Sequence, residues 1–298
     1  MRPGTVAIVP SYDDAPEDTP REGAPEGVRK GARRWSRYRH PDSLIRFGVL
    51  LGVLVFLAYS VHFLNLDMRR VIGAFPRLGE ILVTRYFPPD LVYVTDGGFL
   101  LSVLRTLQMS LLGGLFGVLL AIPLAWFGAY NVTLSRALAY PFGRLSIMGS
   151  RAIHETIWTI LFVMILGFGM LAGVLALTMF CIGFAGKLFA DEIEAIDMGP
   201  VEALRSAGAG PLQVFQYGVL PQVRVAFAGI AIYTWDVAFR AATVVGFFGG
   251  GGMGWYLQRT VQEMQTTRVA AILLTIIALV SVAEILSFWL RNRVARMR

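Results

Sequence analysis

The chain has 298 residues, 55% of them hydrophobic and only 16% charged, with a mean hydropathy of +0.60. A soluble domain carries about a quarter charged residues, so this composition excludes an ordinary water-soluble domain and calls for lipid over much of the surface. The net charge of +7 does not point to nucleic acid, because the cations gather beside apolar runs, at Arg29 to Arg39 and at Arg291 to Arg298, where they read as topology signal and headgroup contact.

Residues 1–28 are rich in Pro, Gly, Asp and Glu and lack an apolar core, so the tail, taken as 1–40, is expected to be disordered and cytoplasmic. The first run of some 20 apolar residues, the length a bilayer core requires, is Ile45 to Leu66. A second covers Phe99 to Phe127. The stretch Leu145 to Ala190 is too long for one span, and the glycines Gly167, Gly169 and Gly173 divide it in two. A fifth run is Val223 to Phe248, and a sixth, Val269 to Leu290, ends in Arg291-Asn-Arg293. The expected fold is therefore all-α, with six spans. The expected organisation is a tail at 1–40, a first span and outer amphipathic segment at 41–97, a transmembrane domain at 98–291 and a basic tail at 292–298.

The positive-inside rule places both termini and the segments 128–152, 190–221 and 291–298 in the cytoplasm. The segments 67–98 and 249–267 then face outward. The 67–98 segment carries both signs of charge (Arg69, Arg70, Arg77 and Arg85; Asp67, Glu80, Asp90 and Asp96), which suits an amphipathic helix on the outer surface. Cys181 lies alone in an apolar run, and His40, His62 and His154 are far apart, so neither a disulfide nor a metal site is expected. Gly186-Lys187 lacks the upstream glycine of a phosphate-cradling loop. No nucleotide site is expected in this chain.

The segment Asp197 to Gly210 lies between spans four and five. Pro200 suits the first helical position, Glu202 complements the helix dipole, and Gly208 and Gly210 provide a stop. Leu220-Pro221 marks a second break before span five. A short rigid helix between two spans is a docking element that a partner can push as one body. Its residues resemble the EAA loop of ABC importer permeases. Glu202, Ala203, Gly208, Leu220 and Pro221 match at the family spacing, while Leu204 stands for the second Ala and Gly218 for an Ile.

Within that class, Leu171 to Leu177, Gly186 to Phe189, Tyr217 to Gln222, Arg240 to Gly246 and the run Gly249 to Gly254 resemble the phosphonate-import permease family over about residues 98–291. The resemblance implies a type I importer permease in a bacterial inner membrane, working as a pair of identical copies. It implies two ABC ATPase subunits that bind ATP and Mg, and an extracytoplasmic solute-binding protein. No cofactor belongs to the chain itself. Two departures stand out. Arg151-Ala-Ile-His154-Glu155 has His where the family pattern has Pro, and Trp235-Asp236-Val-Ala238-Phe239-Arg240 has Asp for Glu and Ala for Asn.

Asp236 and Arg240 lie four apart in an apolar run, on one helix face. They read either as a structural pair or as path lining in which Arg240 meets an anion, with Trp235 packing or plugging beside them. Arg151 and Glu155 repeat the spacing at the expected cytoplasmic start of span three. Glu284 needs a partner within span six. The glycines Gly249, Gly250, Gly251, Gly252 and Gly254 read as a flexible outer turn, as backbone N–H donors for an oxyanion, or as a loop that fits against a binding protein. Paired groups of an intramembrane protease are absent from the sequence. A methionine-type permease and a secondary transporter remain as alternatives.

Overall fold

A computed structural model describes residues 41–64 and 68–296; the expected tail at 1–40, the acid Asp67 and the last two residues lie outside these. Among the described residues every regular element is helical. The chain divides into two compact units, one ending at Ile72 and one starting at Gly73. The described part of the first holds α1 (Pro41–Phe63) and the start of α2 (Met68–Ile81). Between Phe47 and Ala58 α1 is apolar on every side, as a helix surrounded by lipid is.

The second unit continues through a π turn (Leu82–Tyr86) to α3 (Leu91–Thr95) and the long α4 (Gly97–Gly128). Asp96 caps α4, its carboxylate accepting from Gly98 N. Then come α5 (Ala139–Ala152), α6 (Glu155–Leu166), α7 (Met170–Glu194) and the short α8 (Gly199–Ser206). Five described helical stretches are long and apolar enough to cross a membrane. The sixth candidate is the α5–α6 pair, bent by 90°.

That bend departs from the straight third span expected from the sequence. The expected break at Gly167 and Gly169 is present, with φ of +84° and +151°. A second break falls at Ile153-His154, where the backbone turns extended and the His154 ring accepts from Thr156 N to start α6. Polar Arg151, His154 and Glu155 interrupt the apolar pattern there, so neither half behaves as one long lipid-facing rod. Residue Gly173, expected at the break, instead lies inside α7, buried against Met109 and Gly250.

The fifth span also differs. The expected break at Leu220-Pro221 is absent: α9 (Pro211–Gln213), a π turn (Val214–Val219) and α10 (Leu220–Val245) run on without interruption. Pro221 lies in the first turn of α10, where the wider π turn before it tolerates the missing N–H. A further π turn (Gly246–Gly250) leads to α11 (Met253–Gln262) and then α12 (Thr266–Ala295).

Small residues bring the central helices together, as is usual where lipid removes any hydrophobic drive between helices. A Cβ on Gly113 of α4 would come within 2.6 Å of Leu177 Cβ on α7, and one on Gly143 of α5 within 2.8 Å of the Leu124 carbonyl. Backbone cannot yield as a flexible side chain can. Gly143→Ala is therefore expected to lower the purified protein's stability by about 1–3 kcal/mol, read as a fall in Tm in detergent; an unchanged Tm would show that α4 and α5 separate freely.

Candidate coupling element and translocation path

Pro200 opens α8 and Glu202 lies in its first turn. The helix ends as the sequence requires: Ala209 N donates to the Leu204 carbonyl and Gly208 N to the Arg205 carbonyl, with Gly208 at φ +81°. This is a Schellman stop, which needs a left-handed residue after the cap. Glu202, Ala203, Arg205 and Ser206 are exposed, while Val201 is fully buried. The helix thus anchors one edge and presents the other.

The anchors are specific. Gln222 in α10 accepts from Asp197 N at 3.1 Å and donates to the Asp197 carbonyl at 3.1 Å and the Gly218 carbonyl at 2.7 Å. Arg205 donates to the Asn131 carbonyl at 3.3 Å, and the Asn131 amide donates to the Ile193 carbonyl at 2.8 Å. Through these contacts α8 is tied to α10, to the end of α7 and to the chain leaving α4. The sequence reading gave Gln222 only as the end of a family-like run and did not single out Asn131; an amide that bonds backbone across tens of residues leaves no periodic signal.

The two positions that depart from the expected EAA pattern face each other. A Cβ on Gly218 would lie 3.0 Å from Leu204 Cδ1 and 3.4 Å from Val201 Cγ2. The larger residue at 204 occupies the space that a larger residue at 218 would need. Gly218→Ile alone is expected to weaken assembly and uptake several-fold, and Leu204→Ala with Gly218→Ile to restore most of it. A double variant no better than the single one would refute this compensation.

In the C-terminal half of α10, Arg240 pairs with Asp236 at 3.0 Å; the Asp236 side chain is 3% exposed and that of Arg240 43%. The second carboxylate oxygen of Asp236 and the Trp235 indole nitrogen are buried with no hydrogen-bond partner. Trp235 packs over Gly114 of α4, with Phe239 one turn away at 6.3 Å.

Arg151 and Glu155 fall elsewhere than expected. Ser150 Oγ donates to the Met179 carbonyl, and a Cβ on Gly183 would come within 2.9 Å of Arg151 N. Residues 179–183 lie at the middle of α7. The α5–α6 joint is therefore halfway between the α8 end of the bundle and the glycine-loop end, not at the mouth of a span. Arg151 and Glu155 do not pair, because the helix turns between them; Glu155 instead meets His154 Nε2 at 3.4 Å. Tyr233 of α10 packs on Phe184 at 5.5 Å, and the Asp236–Arg240 pair follows one to two turns further along α10, toward the glycine run. Glu284 is exposed on α12.

The glycine run is neither a flexible turn nor an open cradle. Gly249, Gly250, Gly252 and Gly254 are buried and Gly251 half-buried. Gly169 N donates to the Gly249 carbonyl at 3.1 Å, and Met253 N donates to Thr106 Oγ1 at 2.8 Å. A Cβ on Gly250 would lie 2.9 Å from the Val245 carbonyl and 3.1 Å from Gly173 Cα. The glycines are there because backbone packs on backbone where α4, α7, α10 and α11 converge. Tyr256 packs edge-on against Phe99 at 5.7 Å.

A helical bundle with charged residues at half depth, and a stiff exposed helix tied to three of its members, defines a membrane transport subunit worked from outside itself. The chain belongs to the family of binding-protein-dependent transport system inner membrane components, which matches residues 98–296. It is thus a multi-pass inner-membrane permease, a transport component rather than an enzyme in itself, and its family works with an ATPase and a solute-binding protein. It is similar to the phosphite transport system permease protein PtxC of Stutzerimonas stutzeri, 38% identical over 82% of this chain and 86% of that protein. It is also similar to the phosphate-import permease protein PhnE of Mycolicibacterium smegmatis, 35% identical over 85% of this chain and 47% of that protein. Among solved structures, an inward-facing form of the MetNI methionine ABC transporter aligns with a TM-score of 0.57 at 21% identity, over 66% of this chain and 95% of that one. That likeness shows the fold, a type I importer permease, and nothing of the substrate.

Proposed function

We propose that this chain is the permease of an ATP-driven importer for phosphonates or related phosphorus oxyanions, phosphite and phosphate among them. The similarity to PtxC over most of both chains carries this reading, and the phosphate-import relative supports the same class. Two copies form the path, two ATPases bind ATP and Mg, and an external binding protein delivers the ion. Both termini and α8 face the cytoplasm, with α11 on the outer side. The basic residues beside the last span, Arg291, Arg293 and Arg296, support this orientation.

In this reading ATP binding closes the ATPases, α8 moves with them, and its ties through Gln222 and Arg205 carry the motion to α10, α7 and α4. The bundle then exchanges inward for outward access, a population shift driven by the partner's nucleotide. The path is lined by Arg240, Asp236, Trp235, Glu155 and Arg151. Uptake of labelled phosphite or methylphosphonate into vesicles holding the whole complex tests the proposal. Transport that requires ATP and the binding protein is expected; uptake indifferent to both would sink it. The purified chain alone is expected to bind no ATP, and saturable binding would overturn its place as the passive subunit.

A further inference from the structure

We propose that the joint between α5 and α6 is a half-depth station for a small tetrahedral oxyanion, anchored by Arg151. This rests on the reading that the path carries such ions. A cavity of about 200 Å³ opens at the joint, bordered by Arg151, His154 and Glu155 on one side and by Phe180 and Phe184 on the other. The other path cation, Arg240, is already held by Asp236. Arg151 has no such acid: Glu155, the carboxylate beside it, faces His154, and Phe180 and Phe184 offer no charge.

A guanidinium without a counter-ion is expensive at the centre of a bilayer. It is tolerated where it faces a polar path, and a helix broken at half depth is where transporters build such sites. The planar fork of Arg binds two oxygens of an oxyanion at once. The phenyl walls strengthen that attraction by excluding water, and they leave room for the one substituent on phosphorus that makes no hydrogen bond. The Glu155 carboxylate lies against His154 Nε2 at 3.4 Å, turned from Arg151 and from the anion it would hold.

Phosphorus NMR of methylphosphonate and phosphite with the purified permease–ATPase complex reads occupancy directly as line broadening. Arg151→Gln is expected to weaken binding about tenfold or more, with Arg151→Lys intermediate and the Tm of both unchanged. Wild-type broadening retained in Arg151→Gln but lost in Arg240→Gln would overturn the station and leave the proposed substrate standing. Arg151-dependent binding of sulfate, in a complex that ignores both phosphorus ions, would keep the station and refute the substrate class. If no oxyanion binds the wild type, both fall.

Discussion

Gly208→Val is expected to abolish coupled uptake while leaving the permease folded and in the membrane. The left-handed conformation at this position has φ +81° and open space around the missing Cβ, so the penalty is in the backbone rather than in packing. It is about 1–2 kcal/mol for an ordinary L-residue and larger for a β-branched one. The chain escapes it by unwinding the last turn of α8, where Ala209 and Gly208 close onto Leu204 and Arg205. A lengthened or frayed helix no longer transmits a push. ATP hydrolysis by the complex is then expected to persist without uptake, a large fall in ions moved per ATP. Equal ratios in variant and wild type would show that α8 needs no rigid end. Glu202→Ala is expected to act in the same direction through the exposed face, without the structural change.

Arg240→Ala is expected to produce the other large effect. It leaves the buried Asp236 carboxylate with neither of its oxygens partnered, since one already lacks a partner. Because the Arg240 side chain is 43% exposed, the cost is that of one orphaned buried polar group, about 1–3 kcal/mol, and both stability and transport should fall. The informative variant is the double one. Asp236→Ala with Arg240→Ala removes the orphaned charge, and stability should return. If transport returns too, the pair serves packing alone; if it stays low in a stable protein, Arg240 contributes to the path. Tm and vesicle uptake on the same preparations separate the two.

Much of this architecture could be read from residue order. Five of the six spans follow from apolar runs of bilayer length, and α8 from Pro200, Glu202 and Gly208, each a local rule acting within one turn. What could not be read depends on contacts distant in sequence. The joint at Ile153-His154 exists because α5 packs against the middle of α7 through Ser150 and Gly183, and no local pattern reports that depth. The glycine run gave the right residue type and the wrong reason: glycine marks close backbone approach as well as flexibility, and only the convergence of four helices distinguishes them. Leu204 and Gly218 depart from the expected EAA residues one by one, and only the structure shows that they lie side by side.

The central claim is that α8 receives the motor's motion from the cytoplasmic side. Cysteine cross-linking tests it most directly, with Ala203→Cys in a Cys181→Ser background and a matching cysteine on the ATPase surface of the assembled complex. A cross-link that forms in the complex and changes in yield when ATP is added is the expected result. Labelling of the cysteine by an impermeant reagent from outside intact cells, with no cross-link to the ATPase in a transport-competent complex, would contradict it.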